Sequence, residues 1–454
     1  MRFRLLPLAI GLALGGGSMP TIFAADVIEQ SGTLLVTTGN SLEDFFAATL
    51  NNSPELAIAR ERWNIGGARK DQATGLILPQ VTATGTISEN ERNIAPTSYR
   101  GERYGFSVSQ VLFHWAAFQN RKQASLLEDQ SEAEYFATLA NLLTEIADQY
   151  LQVLQAEDAL RSINSELEAM TNQLNQVQTL YDLQLARITD LYETQARRAA
   201  IQANKVSVEA EVMITRETLR AASGIEVGEL RRLPDGTEVT PMIDSMEMWL
   251  QRTRDNNQEL AARSIALMAA ERQVSAARGA YMPQLSLIYQ HQNSNVGFDN
   301  QVMSQTETNY IGVNVQVPIF AGGSNRAKVR EAFSMRNIAE NQLRQTEMEL
   351  LERTRIAYSQ VKAGESRIIA SQFLSESTNT SFTAMQRGYE LGTVTTVDVL
   401  NALRDQFAAQ RDLQQARYDH IRAQLALRRD SGELTADDIM EVSALMNAPA
   451  LSPP

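Results

Sequence analysis

Leu139-Ala140-Asn141-Leu142-Leu143-Thr144-Glu145-Ile146-Ala147-Asp148-Gln149-Tyr150-Leu151-Gln152-Val153 opens the stretch that decides the fold. Leu139, Leu143, Ile146, Tyr150 and Val153 fall at spacings of three and four. The pattern continues through Leu160, Ile163, Leu167, Met170, Leu174, Val177 and Tyr181, and only Glu157 interrupts it. A seam repeating every 3.5 residues is the signature of a coiled coil. Neither glycine nor proline occurs from Phe106 to Ser223, so nothing in the span breaks a helix. A helix over residues 116–182 rises 1.5 Å per residue and would be roughly 100 Å long. That is far too long for a globular core.

Just before this helix the period changes. Val81, Ala83, Gly85 and Ile87 alternate with Gln80, Thr82, Thr84, Thr86 and Ser88, and later Ile311, Val313, Val315 and Val317 alternate with Tyr310, Gly312, Asn314 and Gln316. One apolar and one polar face per segment predicts strands. Four are expected, at 80–88, 104–113, 284–292 and 310–319, with a first helix over about 42–77. Pro79 and Pro283 mark the change from helix to strand. Such strands suit a membrane-spanning barrel, because lipid offers no partner to an open edge. A soluble hairpin lying on the coiled coil is the other reading. Phe113, Trp115 and Phe118 fit an interfacial aromatic belt and ordinary core packing equally. Four strands cannot close a barrel, so the barrel reading demands an oligomer.

The chain is written twice. Pro54-Glu55-Leu56 recurs as Gln258-Glu259-Leu260, Leu78-Pro79-Gln80 as Met282-Pro283-Gln284, and Val111-Leu112-Phe113 is echoed by Pro318-Ile319-Phe320. Tyr181, Leu183 and Asp190 recur as Tyr389, Leu391 and Asp398, and Ser223-Gly224 as Ser431-Gly432. These anchors keep their order at offsets of about 204 to 208 residues, which is a duplicated domain and not a short solenoid repeat. The copies are placed at 26–234 and 235–435, joined by a linker at 231–244. Each reads helix, strand, strand, long helix, helix. Residues 436–454, with Pro449, Pro453 and Pro454, are expected to be a disordered tail.

At the start, Arg2 and Arg4 precede the apolar run Leu5 to Leu14 and the small residues Gly15 to Ser18. This reads as a signal peptide over residues 1–25, the apolar run being shorter than the ~20 residues of a spanning helix. An uncleaved anchor is the competing reading. The 454 residues carry 41 basic and 54 acidic side chains, a formal charge of −13, which excludes the dense cation field of a nucleic-acid binder. Cysteine is absent, which removes disulfides, thiolate metal sites and lipid attachment through an N-terminal cysteine. With 24 glycines, 12 prolines and 6% aromatics, the composition suits long helices.

Together these features resemble the TolC family of outer-membrane channels. The match is carried by Asn51-Asn52-Ser53-Pro54-Glu55-Leu56, the two proline turns, Val317-Pro318-Ile319-Phe320 with Gly322-Gly323, and Gly388-Tyr389-Glu390-Leu391-Gly392-Thr393 leading to Val397-Asp398-Val399-Leu400. The resemblance implies a mainly helical chain with a β-barrel part: a homotrimer whose chains each add four strands to a twelve-stranded barrel, continued by a helical tunnel across the periplasm. It implies a periplasmic adaptor, an inner-membrane transporter and outer-membrane lipid as partners, no cofactor and no catalysis.

The resemblance places the periplasmic constriction near Asp190 and Asp398. Locally, each aspartate suits the first turn of a helix, as a capping or dipole-complementing acid. Around a threefold axis each would also become a ring of three carboxylates attractive to cations. The family has two aspartates one turn apart here. Asp398 matches the first and Asn401 stands at the second, so a less cation-selective constriction is expected. The family's lock uses a tyrosine and an aspartate, matched by Tyr389 and Asp190, and an arginine where this chain has Val394. Arg187 is the candidate substitute. Leu391, Gly392, Thr393 and Leu400 are candidates for adaptor docking, with core packing the competing reading for the two leucines.

His114, His291 and His420 are far apart, and no phosphate-binding, dinucleotide or hydrolase motif is present, so an enzyme is not expected. The expected function is an exit duct for type I protein secretion with an ATP-driven transporter. A channel serving a proton-driven multidrug pump is the alternative, and a non-pore periplasmic coiled-coil scaffold is the alternative of another class.

Overall fold

The computed structural model describes residues 38–92, 97–234, 244–296 and 302–447. The expected signal peptide and most of the expected linker lie outside them. In chain order the elements are β1 (Thr38–Gly39), α1 (Leu42–Asn52), α2 (Pro54–Gly75), β2 (Gln80–Arg92), β3 (Thr97–Phe113), α3 (Trp115–Asp182), α4 (Ile188–Ser223) and β4 (Glu226–Val227). There follow α5 (Met246–Asn256), α6 (Gln258–Arg278), a short 3-10 turn, β5 (Gln284–Val296), β6 (Val302–Gln316), α7 (Ser324–Glu390), α8 (Thr396–Ser431) and α9 (Ala436–Asn447). The order helix, helix, strand, strand, long helix, helix runs through twice.

The first helix, expected as one piece, is two. Ser53 is extended, with φ −67° and ψ 116°, and its hydroxyl accepts from the Leu56 N–H at 3.3 Å, while Pro54 takes the first helical position, where its missing N–H costs nothing. Asn257 makes the same break between α5 and α6, accepting from the Leu260 N–H at 3.1 Å. The signal, a capping residue inside an apolar period, is present in the sequence at both positions.

The long helices are α3, with 68 residues, and α7, with 67. Each turns back into a 36-residue partner, α4 or α8. The seam residues Leu143, Ile146, Tyr150, Val153, Ile163, Met170 and Val177 are buried. At mid-length, however, Leu142, Leu151 and Leu154 on the other sides of α3 are buried too, because the helices pass through a true core. Leu42 and Phe45 of α1, Leu219 of α4, Tyr418, Ile421 and Leu425 of α8, and Ile439, Val442 and Met446 of α9 close around Tyr150. Phe45 meets the Tyr150 ring edge-on at 5.9 Å. The Tyr150 hydroxyl donates to the carbonyls of Arg231 at 2.9 Å and Asn40 at 3.2 Å. That bond ties the chain leaving the first copy to the chain entering it, where β1 and β4 pair in parallel. Glu157, which interrupts the seam, accepts from Arg216 Nε at 2.9 Å, so the break in the pattern is an ion-pair position.

Residues 436–447, expected to be disordered, form α9. Asp438 accepts from the Thr435 N–H at 2.7 Å and hydroxyl at 3.0 Å, and also pairs with Arg428. The apolar spacing Ile439, Val442, Met446 is helical but only one face wide. It becomes a helix because the core described above receives that face. Residues 448–454 lie outside the described ones.

The four long strands form one antiparallel sheet in the order β2-β3-β5-β6. They run farther from the helices than expected, and β6 stops at Gln316, ahead of Pro318, which has no N–H for a ladder. At Gly105 the sheet leaves no room for a side chain: an added Cβ would lie 2.2 Å from the His291 carbonyl oxygen. Trp115, at the sheet's exit, donates through Nε1 to Ser275 of α6 at 3.3 Å, a packing contact between helices.

The pairing register sorts every side chain to one of two faces. On one face Ile311, Tyr289, Val108 and Val81 stand in a row across β6, β5, β3 and β2. From that row the apolar positions extend toward the helices on β6 and β5 (Val313 opposite Leu287, Val315 opposite Leu285) and away from them on β3 and β2 (Phe106 opposite Ala83, Tyr104 opposite Gly85, then Ile87). The apolar band therefore crosses the ladder on a diagonal. The other face carries Thr82, Thr84, Thr86, Ser107, Ser109, Gln290, Gln292, Thr308, Tyr310 and Asn314. Within the sheet, β2 and β6 each have one unpaired edge.

Candidate functional site: the paired helical turns

The turns from α3 to α4 and from α7 to α8 close on the same hydrogen-bond pattern. In the first, the Leu185 N–H donates to the Leu180 carbonyl at 2.7 Å and the Gln184 N–H to that of Tyr181 at 2.9 Å. In the second, the Thr393 N–H donates to Gly388 at 2.9 Å and the Gly392 N–H to Tyr389 at 3.0 Å. Both are Schellman motifs, which satisfy the last carbonyls of a helix by placing one residue in the left-handed region. That residue is Gly392, with φ 75°, in the second turn and Gln184, with φ 61°, in the first. Gln184 is the only non-glycine residue with positive φ among the described residues.

The returning helices start differently. Thr395 and Asp398 form a complete capping box on α8: the Asp398 N–H donates to Thr395 Oγ1 at 3.3 Å, and Asp398 Oδ2 accepts from the Thr395 N–H at 3.1 Å and hydroxyl at 2.5 Å. These bonds, the hydroxyl's first, hold the exposed Asp398 carboxyl below its ordinary pKa. On α4 the corresponding cap residue, Arg187, makes no side-chain cap bond, and Asp190 sits in the first turn as a complement to the helix dipole. Asp398 thus has the local role expected of it, and Asp190 has only half of that role.

The two turns lie at one end of the molecule. Above them Met170 of α3 and Leu400 and Leu403 of α8 share a buried cluster, against which Ile201 of α4 and Phe382 of α7 pack. Leu400 is therefore core and is not available for docking, whereas Leu391 is 79% exposed at the turn itself. Thr393 folds its hydroxyl back onto the Gly388 carbonyl at 3.0 Å. Val394, standing where the family has an arginine, lies over Gly388, and a Cβ there would meet it at 2.6 Å. The Tyr389 hydroxyl meets Thr396 Oγ1 at 3.4 Å. Among the described residues no side-chain hydrogen bond or ion pair within the chain joins Tyr389, Asp190 and Arg187 to one another, and Asn401 is half-buried on α8. Sequence reasoning missed Gln184 and the exposed Leu183, Leu185 and Tyr192 beside it. Superposing the two copies would have found the first, since Gln184 falls opposite Gly392.

This arrangement of two helical hairpins below a four-stranded sheet can be compared with known proteins. The family model described as outer membrane efflux protein matches residues 47–225 and 249–433. The chain belongs to this outer membrane efflux family. It is 26% identical over 445 residues to outer membrane protein TolC of Vibrio cholerae, covering 97% of this chain and 98% of that one. It is 24% identical over 416 residues to the alkaline protease secretion protein AprF of Pseudomonas aeruginosa, covering 89% and 86%. The crystal structure of the outer membrane protein VceC from Vibrio cholerae shares the fold, with a TM-score of 0.75 at 18% identity, covering 86% of this chain and 96% of that one. The protein is an outer-membrane efflux channel and not an enzyme, and its long helices form the tunnel part of the fold.

Proposed function

We propose that this efflux protein is the exit duct of a tripartite export system for type I protein secretion, acting as a homotrimer with a periplasmic adaptor and an ATP-driven inner-membrane transporter. The observation that carries the duct is the diagonal apolar band. Strands of a barrel tilt by about 35–45°, so a level belt of lipid crosses their ladder obliquely, and a soluble hairpin has no reason to show this. The two unpaired edges support the trimer. Three copies joined β2 to β6 would give twelve strands and leave no edge in the bilayer. The duplication of the sequence then supplies six similar helical hairpins around one axis.

The likeness to AprF, named for protease secretion, supports secretion. The family description, efflux, favours the second reading, a channel for a proton-driven pump. Complementation separates them. In a host lacking its own exit duct, restored secretion of a type I substrate together with an ATP-driven transporter is the expected result, and restored drug resistance without secretion would overturn it. Fractionation tests the duct itself: a water-soluble oligomer that forms no channels in planar bilayers would leave only a scaffold. At the turns, Asp190, Asp398 and Asn401 are proposed to line the constriction, with Tyr389 and Arg187 joining neighbouring chains. Leu391, Gly392 and Thr393 are proposed to meet the adaptor.

A further inference from the structure

The polar face of the sheet is almost free of charge. Along the paired segments it presents Thr82, Thr84 and Thr86 of β2, Ser107 and Ser109 of β3, and Gln290, Gln292, Tyr310 and Asn314 of β5 and β6. Every acid of these strands, Glu89, Glu91, Glu102 and Glu307, is sorted by the register to the opposite face. Besides Arg92, whose register position at the far end of β2 falls on the same face, one charged residue stands among the neutral ones of the described polar face: Arg103, paired with Thr86. It is exposed, and its Nε–H donates to Ser294 Oγ at 3.5 Å, a neutral partner that leaves the charge uncompensated. In sequence it adjoins Tyr104, the aromatic at the end of the apolar band on β3 farthest from the helices. The residue therefore lies toward the mouth of the barrel and far from the acidic turns.

We infer that Arg103 sets the charge preference of the outer part of the duct, three copies of its guanidinium making a ring that favours anionic solutes. This rests on the trimeric barrel proposed above, with the polar face turned to the lumen. A neutral wall of hydroxyls and amides is indifferent to the sign of a solute. A fixed cation with no carboxylate on its face raises the local concentration of anions and lowers that of cations. The acidic turns at the other end have the opposite bias, so a solute's charge is weighed twice along its path.

Because the chain contains no cysteine, a single introduced thiol reports the local potential without background. The purified detergent-solubilised protein with Thr86→Cys is reacted with two methanethiosulfonates, one bearing a sulfonate and one a quaternary ammonium. Comparing the ratio of their rates with and without Arg103→Gln isolates the charge of Arg103. At a distance of about 8 Å in water and about 0.01 M salt, removing one positive charge is expected to lower the anionic-to-cationic ratio about three- to fivefold. Arg103→Lys should keep the ratio. The effect should vanish near 1 M salt, where the Debye length falls to about 3 Å. A ratio unmoved by Arg103→Gln overturns the assignment while leaving the duct intact. Thiol reactivity of Ile87→Cys, on the apolar face, equal to that of Thr86→Cys would instead overturn the barrel reading on which it depends.

Discussion

Replacing Gln184 by glycine should tighten the turn between α3 and α4, a gain that appears in no side-chain contact. A side chain in the left-handed region costs about 1–2 kcal/mol relative to glycine, because its Cβ crowds the following carbonyl. Glycine gives back part of this, about 0.4–1 kcal/mol, through the greater freedom of its unfolded chain. The net expectation is about 0.5–1 kcal/mol in favour of Gln184→Gly. The second turn supplies the reciprocal experiment. Gly392 has φ 75° and nothing within 4 Å of where a Cβ would be, so Gly392→Gln should cost about the same amount through the backbone alone, with no clash to confuse it. Hydrogen exchange of peptides spanning the two turns is the assay. Slowing of about two- to fivefold at 178–188 in the first variant, and a comparable acceleration at 386–396 in the second, are the expected results. Faster exchange in Gln184→Gly would show that the glutamine side chain holds the turn by a contact, and the strain argument would be wrong.

Asp398→Ala removes the capping box of α8 and a carboxylate from the proposed constriction. Weaker cation block in single-channel recordings is expected, and unchanged block would sink the constriction assignment. Since its hydrogen bonds depress the Asp398 pKa below 3.8, the cap is intact above that value and is lost only as pH falls through the lower, folded value; acidification to pH 5 should leave it unchanged. His420 has the same sign of pH dependence from a different cause, burial. It is buried on α8 against Gly364 of α7, where an added Cβ would lie 2.8 Å from Nδ1. Burial holds its pKa below 6.5 against the pull of Glu365 and the Val361 carbonyl. The folded form therefore binds fewer protons than the unfolded one, and stability present above pH 6.5 declines as pH falls through the folded value. Thermal melting of the wild type should drop between pH 7.5 and 5 more than that of His420→Gln, and parallel curves would refute the linkage. Gly105→Ala drives a Cβ against the backbone of β5, which cannot rotate away, so folded protein recovered from outer membranes should fall several-fold; normal recovery would mean that the strands can part there.

Much of this architecture is legible in the sequence because its two periods are long. A seam carried from Leu139 to Val177 leaves a helix as the only solution, and strict alternation at 81–87 and 311–317 leaves only strands. What escaped the reading depended on neighbours distant in sequence. The face of α9 is too narrow to predict a helix until the core around Tyr150 is there to receive it. Leu400 and Leu391 look alike in sequence, and only the meeting of both hairpins at Met170 buries one and exposes the other. At the turns, the capping role of Asp398 could be read from Thr395 three residues earlier, whereas Asp190 has Arg187 in that place and no cap follows. The polar face of the sheet needed the register, since Arg103 and Glu102 are adjacent in the chain and are separated only by the pleat.

The unpaired outer edges of β2 and β6 have a consequence for the life of the chain before it works. An edge of a dozen or so free amides and carbonyls beside an apolar face is a template for any passing strand, including the wrong one. If only the correct union of three chains removes both edges, productive assembly depends steeply on local concentration, and every unjoined copy is exposed to proteases and aggregation in proportion to its waiting time. Rationing synthesis would then select against orphans, and the finished ring would be far harder to take apart than to prevent from forming.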